Sequence, residues 1–271
     1  MTPECSLCGS ADARVILSAG EWRVLKCPHC ELGWLDPRPD AQRLAELYDE
    51  DYFTRHRIMT SDNDEQLAQK VAGQRSWVNF IRRQKKAGAL LDIGCASGYL
   101  LARAREAGYE VRGIEVSEWA VQQGGERLGL DIRQSNIESA DFAPASFDVI
   151  TMLHVVEHLE EPVNNLIKVR EWLKPDGVLI VACPNTNSFD AAKCGAEWTG
   201  WSIPYHIWHF TPKSLGAILN QAGYEVTAVQ TLPSKWVKDK LRRIPVVGLT
   251  RNIVCRWFSG RDMRLVARRR D

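Results

Sequence analysis

The chain has 271 residues, 45% apolar and 25% charged, a globular balance that excludes disordered and fibrous proteins and suffices for one large core with a small appended module. No apolar run approaches the roughly 20 residues that span a bilayer, and Met1 is followed by Thr2, Pro3 and Glu4 rather than a charged and then apolar leader, so the expected location is the cytoplasm. The 35 basic and 34 acidic residues nearly cancel, yet 12 of the basic and only three of the acidic ones lie from Lys235 onward, leaving a body of net −8 with a tail of +9. Such a tail suits anionic lipid, nucleic acid or phosphorylated substrate, or is a solvated helix face.

Four of the eight cysteines read Cys5-x2-Cys8 and Cys27-x2-Cys30, with 18 residues between the pairs. This two-knuckle spacing wraps four thiolates around zinc, and four cysteines close the shell as structural sites do. A reducing compartment argues against a disulfide framework. Residues 1–35 therefore read as a zinc ribbon with strands at 14–17 and 22–26, stabilised largely by its metal, with His29 facing solvent. Cys95, Cys183, Cys194 and Cys255 are scattered and read as packing residues. Residues 36–88 read as a helical linker. After Asp36-Pro37-Arg38-Pro39, Asp40 suits the N-cap of a helix through Leu44, Leu47 and Tyr48. A second helix is expected over 63–84, with Leu67, Val71, Val78 and Ile81 near helical spacing.

From residue 89 to 271 short apolar runs alternate with helical stretches, the pattern of a doubly wound α/β sheet. Seven strands are predicted, at 89–93, 110–115, 131–134, 147–153, 178–182, 224–231 and 263–267, with helices at 97–107, 117–128, 162–173 and 211–222. Leu90-Leu91-Asp92-Ile93-Gly94-Cys95-Ala96-Ser97-Gly98 runs from a strand through a glycine turn into a helix, which suits a nucleotide-like cofactor at the helix N-terminus. The two glycines stand four apart behind an acid, unlike the Gly-x-Gly-x-x-Gly dinucleotide fingerprint, which argues against NAD.

Those residues resemble the first motif of the class I S-adenosylmethionine-dependent methyltransferases. Glu115, 17 residues beyond Gly98, matches the family's acid for both ribose hydroxyls, and two carboxylate oxygens suit two adjacent donors. Asn136 stands where the family often has Asp against the adenine amino group, and its amide oxygen can accept in the same way. Phe147-Asp148-Val149-Ile150, His154-Val155-Val156-Glu157-His158-Leu159 and Leu173 to Gly177 resemble the fourth strand, its loop and the turn into the fifth. The resemblance implies a seven-stranded Rossmann-like sheet and S-adenosylmethionine held by Asp92, Gly94, Cys95, Ala96, Gly98, Glu115, Val116, Asn136, Ile137 and Leu153.

Ligands of such sheets bind beyond the carboxyl ends of the strands, here the loop with His154, Glu157 and His158 and a long lid over 184–210 with Trp198, Trp201, Tyr205, His206, Trp208 and His209. Pro204 to Leu215 resembles a bacterial methyltransferase subfamily associated with surface-polysaccharide and natural-product pathways. Methyl transfer to a hydroxyl needs a base, and His158 is the first choice, with His209 as orienter or second base. The expected acceptor is a sugar, surface glycan or related small metabolite. His154-x-x-Glu157-His158 also resembles the Glu-x-x-Glu-His pattern that binds a divalent ion in small-RNA and quinone-pathway methyltransferases, with His206 or His209 completing the shell; imidazole with carboxylate suits zinc, iron or manganese. The lid aromatics can stack on an acceptor or serve as core. Basic and apolar residues mix over 235–260, which suits the inner face of an anionic membrane. Three alternatives stand beside O-methylation: an RNA methyltransferase that grips with ribbon and tail, a sugar C-methyltransferase, and a non-catalytic cofactor-fold scaffold.

Overall fold

A computed structural model describes residues 4–39, 43, 63–242 and 250–270. Alternating apolar residues build two sheets. The ribbon supplies β1 (Arg14–Ala19), β2 (Trp22–Lys26) and β3 (Gly33–Asp36), each antiparallel to the next. Sequence periodicity reveals the first two; β3 is too short to show a period. Helices α1 (Asp64–Gly73) and α2 (Arg75–Gln84) replace the single helix expected over 63–84. They meet at Gln74, which caps one and starts the other, and Asn63 caps α1 with a reciprocal bond to Gln66. The helix expected from Asp40 through Leu44, Leu47 and Tyr48 lies outside the described residues.

The main sheet is wound through β4 (Gly88–Ile93), α3 (Tyr99–Glu106), β5 (Tyr109–Glu115), α4 (Glu118–Leu128), β6 (Ile132–Gln134), β7 (Phe147–Leu153), α5 (Pro162–Trp172) and β8 (Leu173–Pro184). The chain then runs through α6 (Phe189–Cys194), β9 (Trp208–His209), α7 (Pro212–Gln221), β10 (Tyr224–Pro233), α8 (Lys235–Arg242), α9 (Arg251–Val254) and β11 (Ser259–Arg269). Seven strands lie in the order β10-β11-β8-β7-β4-β5-β6. β4 to β8 pair in parallel, and β11 joins β8 and β10 antiparallel. This is the Rossmann-like methyltransferase sheet, and its order reverses at β4, so the cleft opens beyond β4 and β7.

The ribbon is fused to this body. Cys5, Leu25, Cys27, Leu32 and Trp34 belong to the same buried cluster as Ile150, Met152, Val181 and Phe210, so the ribbon shares a core with the domain instead of hanging from a linker. Lid residues Trp208 and His209, expected in a loop, form β9, the fourth strand of the ribbon's sheet.

Candidate active site

The residues expected to hold the cofactor lie largely on two loops at the carboxyl ends of β4 and β5. Gly94 turns the chain at φ 67°, and a Cβ there would stand 2.5 Å from Val155 Cγ2, so glycine serves both the left-handed turn and the close packing of the turn against the loop after β7. Glu115 Oε2 accepts from Ala96 N at 2.9 Å, and its Oε1 accepts from Val116 N at 2.9 Å and Ser117 N at 3.0 Å. The carboxylate therefore bridges the glycine turn and the loop after β5, where the ribose is expected. Asp92 is buried at the end of β4, and its Oδ1 accepts from Thr151 Oγ1 at 2.6 Å. Burial first, then the charge of Glu115, raises its carboxyl to about 7 against Thr151's opposing bond. Thr151 escaped sequence reasoning, although a lone hydroxyl inside the apolar run of β7 was a signal.

The other expected cofactor residues divide. Cys95 and Ile137 are buried in the core, Leu153 is half-buried, Ala96 has φ 47° and Val116 is exposed. Asn136 Oδ1 accepts from Ser139 N at 2.8 Å and from Ser139 Oγ at 2.6 Å. Both acceptor sites are spent on a local turn, which short amides favour over distant partners.

Beyond β7 the chain enters a tight turn, Val156–His158, that places Glu157 in the interior at 1% exposure. Among the described residues neither carboxylate oxygen receives a hydrogen bond. His154 Nδ1 lies 3.4 Å from Oε1, and His154 holds a left-handed backbone, φ 59°, a strain that clusters at functional sites. Burial would raise Glu157, but His154, His158 and His206 overcome it and hold the carboxyl down at about 2. Burial opposes charge on His154 as well, yet Glu157 keeps its pKa raised. His206 and His209 are both pushed down to about 3, foremost by burial. The cluster thus combines a carboxylate held ionised with two imidazoles, His206 and His209, that burial holds neutral.

His158 Nδ1 lies 3.0 Å from Tyr205 O, and His206 Nδ1 lies 3.0 Å from Gly200 O. A carbonyl can only accept, so both rings carry a proton on Nδ1, and His206, held neutral by burial, keeps its lone pair on Nε2. Ring centroids of His158 and His206 are 4.8 Å apart, whereas His209 packs on Trp201 at 5.4 Å and on His206 at 6.4 Å, its Nε2 buried without a hydrogen bond. His206 is therefore the ring beside His158, while His209 sits behind it on β9. Among the described residues the ligand atoms of Glu157, His158 and His206 lie within 4.8 Å of one another. One carboxylate and two imidazoles fit zinc, iron or manganese. His154 is outside this set, at the exposed flank of Glu157.

The second donor set is the ribbon's. All four sulfurs lie within 4.8 Å of one another, with Cys5 and Cys30 at 3.4 Å and Cys8 and Cys27 at 3.5 Å. A tetrahedral zinc with bonds of about 2.3 Å sets sulfurs about 3.8 Å apart, so the cradle fits. Burial opposes ionisation of Cys27, but the amides of Cys30 and His29 and the neighbouring thiols hold it at about 7. His29 is on the surface as expected, 2.9 Å from Asp12 Oδ2. Lid tryptophans Trp198 and Trp208 are core, each 3% exposed.

The chain belongs to the family described as "Methyltransferase domain", which matches residues 59–229. A ubiquinone biosynthesis O-methyltransferase of Cereibacter sphaeroides is 36% identical over 149 residues, 50% of this chain and 60% of that protein. One of Ruegeria pomeroyi is 32% identical over 188 residues, 65% of this chain and 69% of that protein. The chain thus spans 60% of the length of the Cereibacter relative. Among solved structures, 1,6-didemethyltoxoflavin-N1-methyltransferase of Burkholderia thailandensis, with S-adenosylhomocysteine bound, superimposes with a TM-score of 0.59 at 13% identity, covering 96% of this chain and 99% of that one. A possible histamine N-methyltransferase of Thermotoga maritima gives 0.54 at 18%, covering 84% and 98%. The chain thus carries a methyltransferase domain on the fold shared by these solved methyltransferases. The expected sugar or glycan acceptor gains no support, since these curated relatives are named for ubiquinone biosynthesis.

Proposed function

We propose that the protein methylates a hydroxyl oxygen of a small aromatic acceptor, bound between the glycine turn and the lid. The observation that carries this reading is the buried Glu157 carboxylate, lacking hydrogen bonds, among His154, His158 and His206, packed through Val155 against Gly94. When bound, S-adenosylmethionine supplies an electrophilic methyl group on a cationic sulfur. His158, its ring fixed by the Tyr205 carbonyl, receives the hydroxyl proton on Nε2, and ionised Glu157 stabilises the imidazolium that results. A phenolic hydroxyl is favoured over a sugar because the relatives are named as O-methyltransferases of ubiquinone biosynthesis.

The donor set of Glu157, His158 and His206 favours a second reading of the same turn, in which these residues hold a divalent ion that polarises the acceptor hydroxyl. Full turnover in a chelator that leaves the ribbon zinc in place would dismiss it. On the acceptor side, α8 packs Trp236 against lid residue Phe189 at 5.9 Å, while Trp257 is 76% and Ile253 62% exposed among basic neighbours. We read this face as a contact with anionic lipid. The deciding experiment offers methyl-labelled cofactor with catechols, nucleotide sugars and RNA in parallel. Label in the catechol supports the proposal; label only in sugar or in ribonuclease-sensitive material overturns it.

A further inference from the structure

Strand β3 reaches beyond the ribbon. Gly33 pairs with His209 and Trp34 with Trp208. Leu35 N donates to Ile207 O at 2.9 Å, and Ile207 N donates in turn to Glu157 O at 2.9 Å. One run of backbone bonds therefore leads from the strand behind the second cysteine pair, across the lid, to the buried acid. Trp208 Nε1 donates to Leu159 O at 2.7 Å, tying the lid to the far side of the same turn. At the root, Cys27 N donates to Leu32 O at 2.9 Å and Glu31 N to Cys27 O at 3.0 Å, so the knuckle geometry sets where β3 begins. The ribbon is pinned on the other side by Lys213 Nζ on His29 O at 2.8 Å and Gln221 Nε2 on Leu7 O at 3.2 Å. Contact is tightest at Gly33, where a Cβ would stand 2.8 Å from His209 Cβ and 3.1 Å from His209 O.

We infer that the cysteine ribbon is a wall of the acceptor site: metal held by the four cysteines fixes β3, β3 fixes the lid strand, and Gly33 is the positioning residue that lets His209 and its neighbours sit against Glu157. The inference rests on the cysteines as a zinc site and is independent of the acceptor's identity. Metal binding is coupled to folding of such knuckles, so without metal they relax first. Relaxation there releases β3, and the histidine turn loses the backbone partners that hold it.

The test compares amide exchange of the full chain before and after a chelator strips the ribbon, with zinc release measured alongside and S-adenosylhomocysteine affinity by calorimetry. Peptides over residues 155–159 and 205–210 are expected to exchange at least about tenfold faster, the ratio for roughly 1.4 kcal/mol of local stability, while β4, β5 and cofactor affinity change less than about twofold. Gly33→Ala, with zinc retained, is expected to give the same local signature and to shift the nitrogen resonances of His158 that report its Nδ1 proton. Unchanged lid exchange after stripping overturns the inference. So does exchange that rises equally in β4 and β5, which would make the ribbon a global brace. A chain carrying no zinc overturns the metal half, and a folded Gly33→Ala with unchanged lid and histidine signals overturns the positioning half. If Gly33→Ala does not fold, the stripping experiment decides alone.

Discussion

Glu157 and Asp92 are two buried carboxyls that the fold treats in opposite ways. Glu157 stays ionised because imidazoles surround it, whereas Asp92, with only Thr151 donating, is raised to about 7 by burial and by Glu115. A carboxyl raised on folding stabilises the native state most below its unfolded value, near 4, and loses that contribution as pH climbs through the folded value. In urea unfolding of the cofactor-free protein, where the depressed His206 and His209 add stability as pH rises toward about 6.5, the difference between the wild type and Asp92→Asn isolates the Asp92 contribution and should decline from pH 4 to about 7; a pH-independent difference would refute the assignment. At the other carboxyl, His158→Ala is expected to lower turnover about 10²- to 10⁴-fold, the usual worth of a positioned base, with cofactor affinity unchanged. Near-wild-type turnover would remove His158 from the chemistry.

The turn after β4 is the element on which both halves of the site meet. Gly94→Ala forces a left-handed alanine whose Cβ falls 2.5 Å from Val155 Cγ2, so it should cost about 1–3 kcal/mol in urea unfolding and weaken cofactor binding; an unchanged midpoint would mean that the turn yields freely. Such elements were legible in the sequence to different degrees. Strand 147–153 matches β7 at both ends, because a largely apolar, strand-favouring run begins at Phe147 and is closed by His154. β8 begins at Leu173, five residues before the expected 178, because the Lys-Pro-Asp-Gly stretch looks like a turn locally and is drawn into pairing by its neighbour. The histidines were visible, but their arrangement was not: which of His206 and His209 faces His158 depends on β9, and a two-residue strand has no period to read. Gly33 gave a faint signal, a glycine before an apolar pair, whose reason lies on the lid.

Across the whole molecule the charge is unevenly divided, with a net of +9 from Lys235 onward against −8 before it. If the basic face meets lipid, cosedimentation with anionic vesicles should be strong at low salt and should fade toward 1 M, where screening shortens to about 3 Å. Trp257→Ala should weaken it without altering cofactor binding. Equal sedimentation with neutral vesicles, or none with either, would set the face aside as a solvated surface. No helix among the described residues is long and apolar enough to cross a membrane, so contact through these helices would be lateral.

The pairing of Gly33 with His209 also orders events during synthesis. A ribosome makes the ribbon long before it makes the lid, so β3 emerges as an open edge with the apolar face of Trp34 beside it, and its partner arrives only after most of the sheet has been translated. Exposed edges of that kind recruit other chains. The nascent protein is therefore most vulnerable to aggregation in the interval between the two strands, and slow elongation through that interval should lower the yield of soluble enzyme even when the finished molecule is stable.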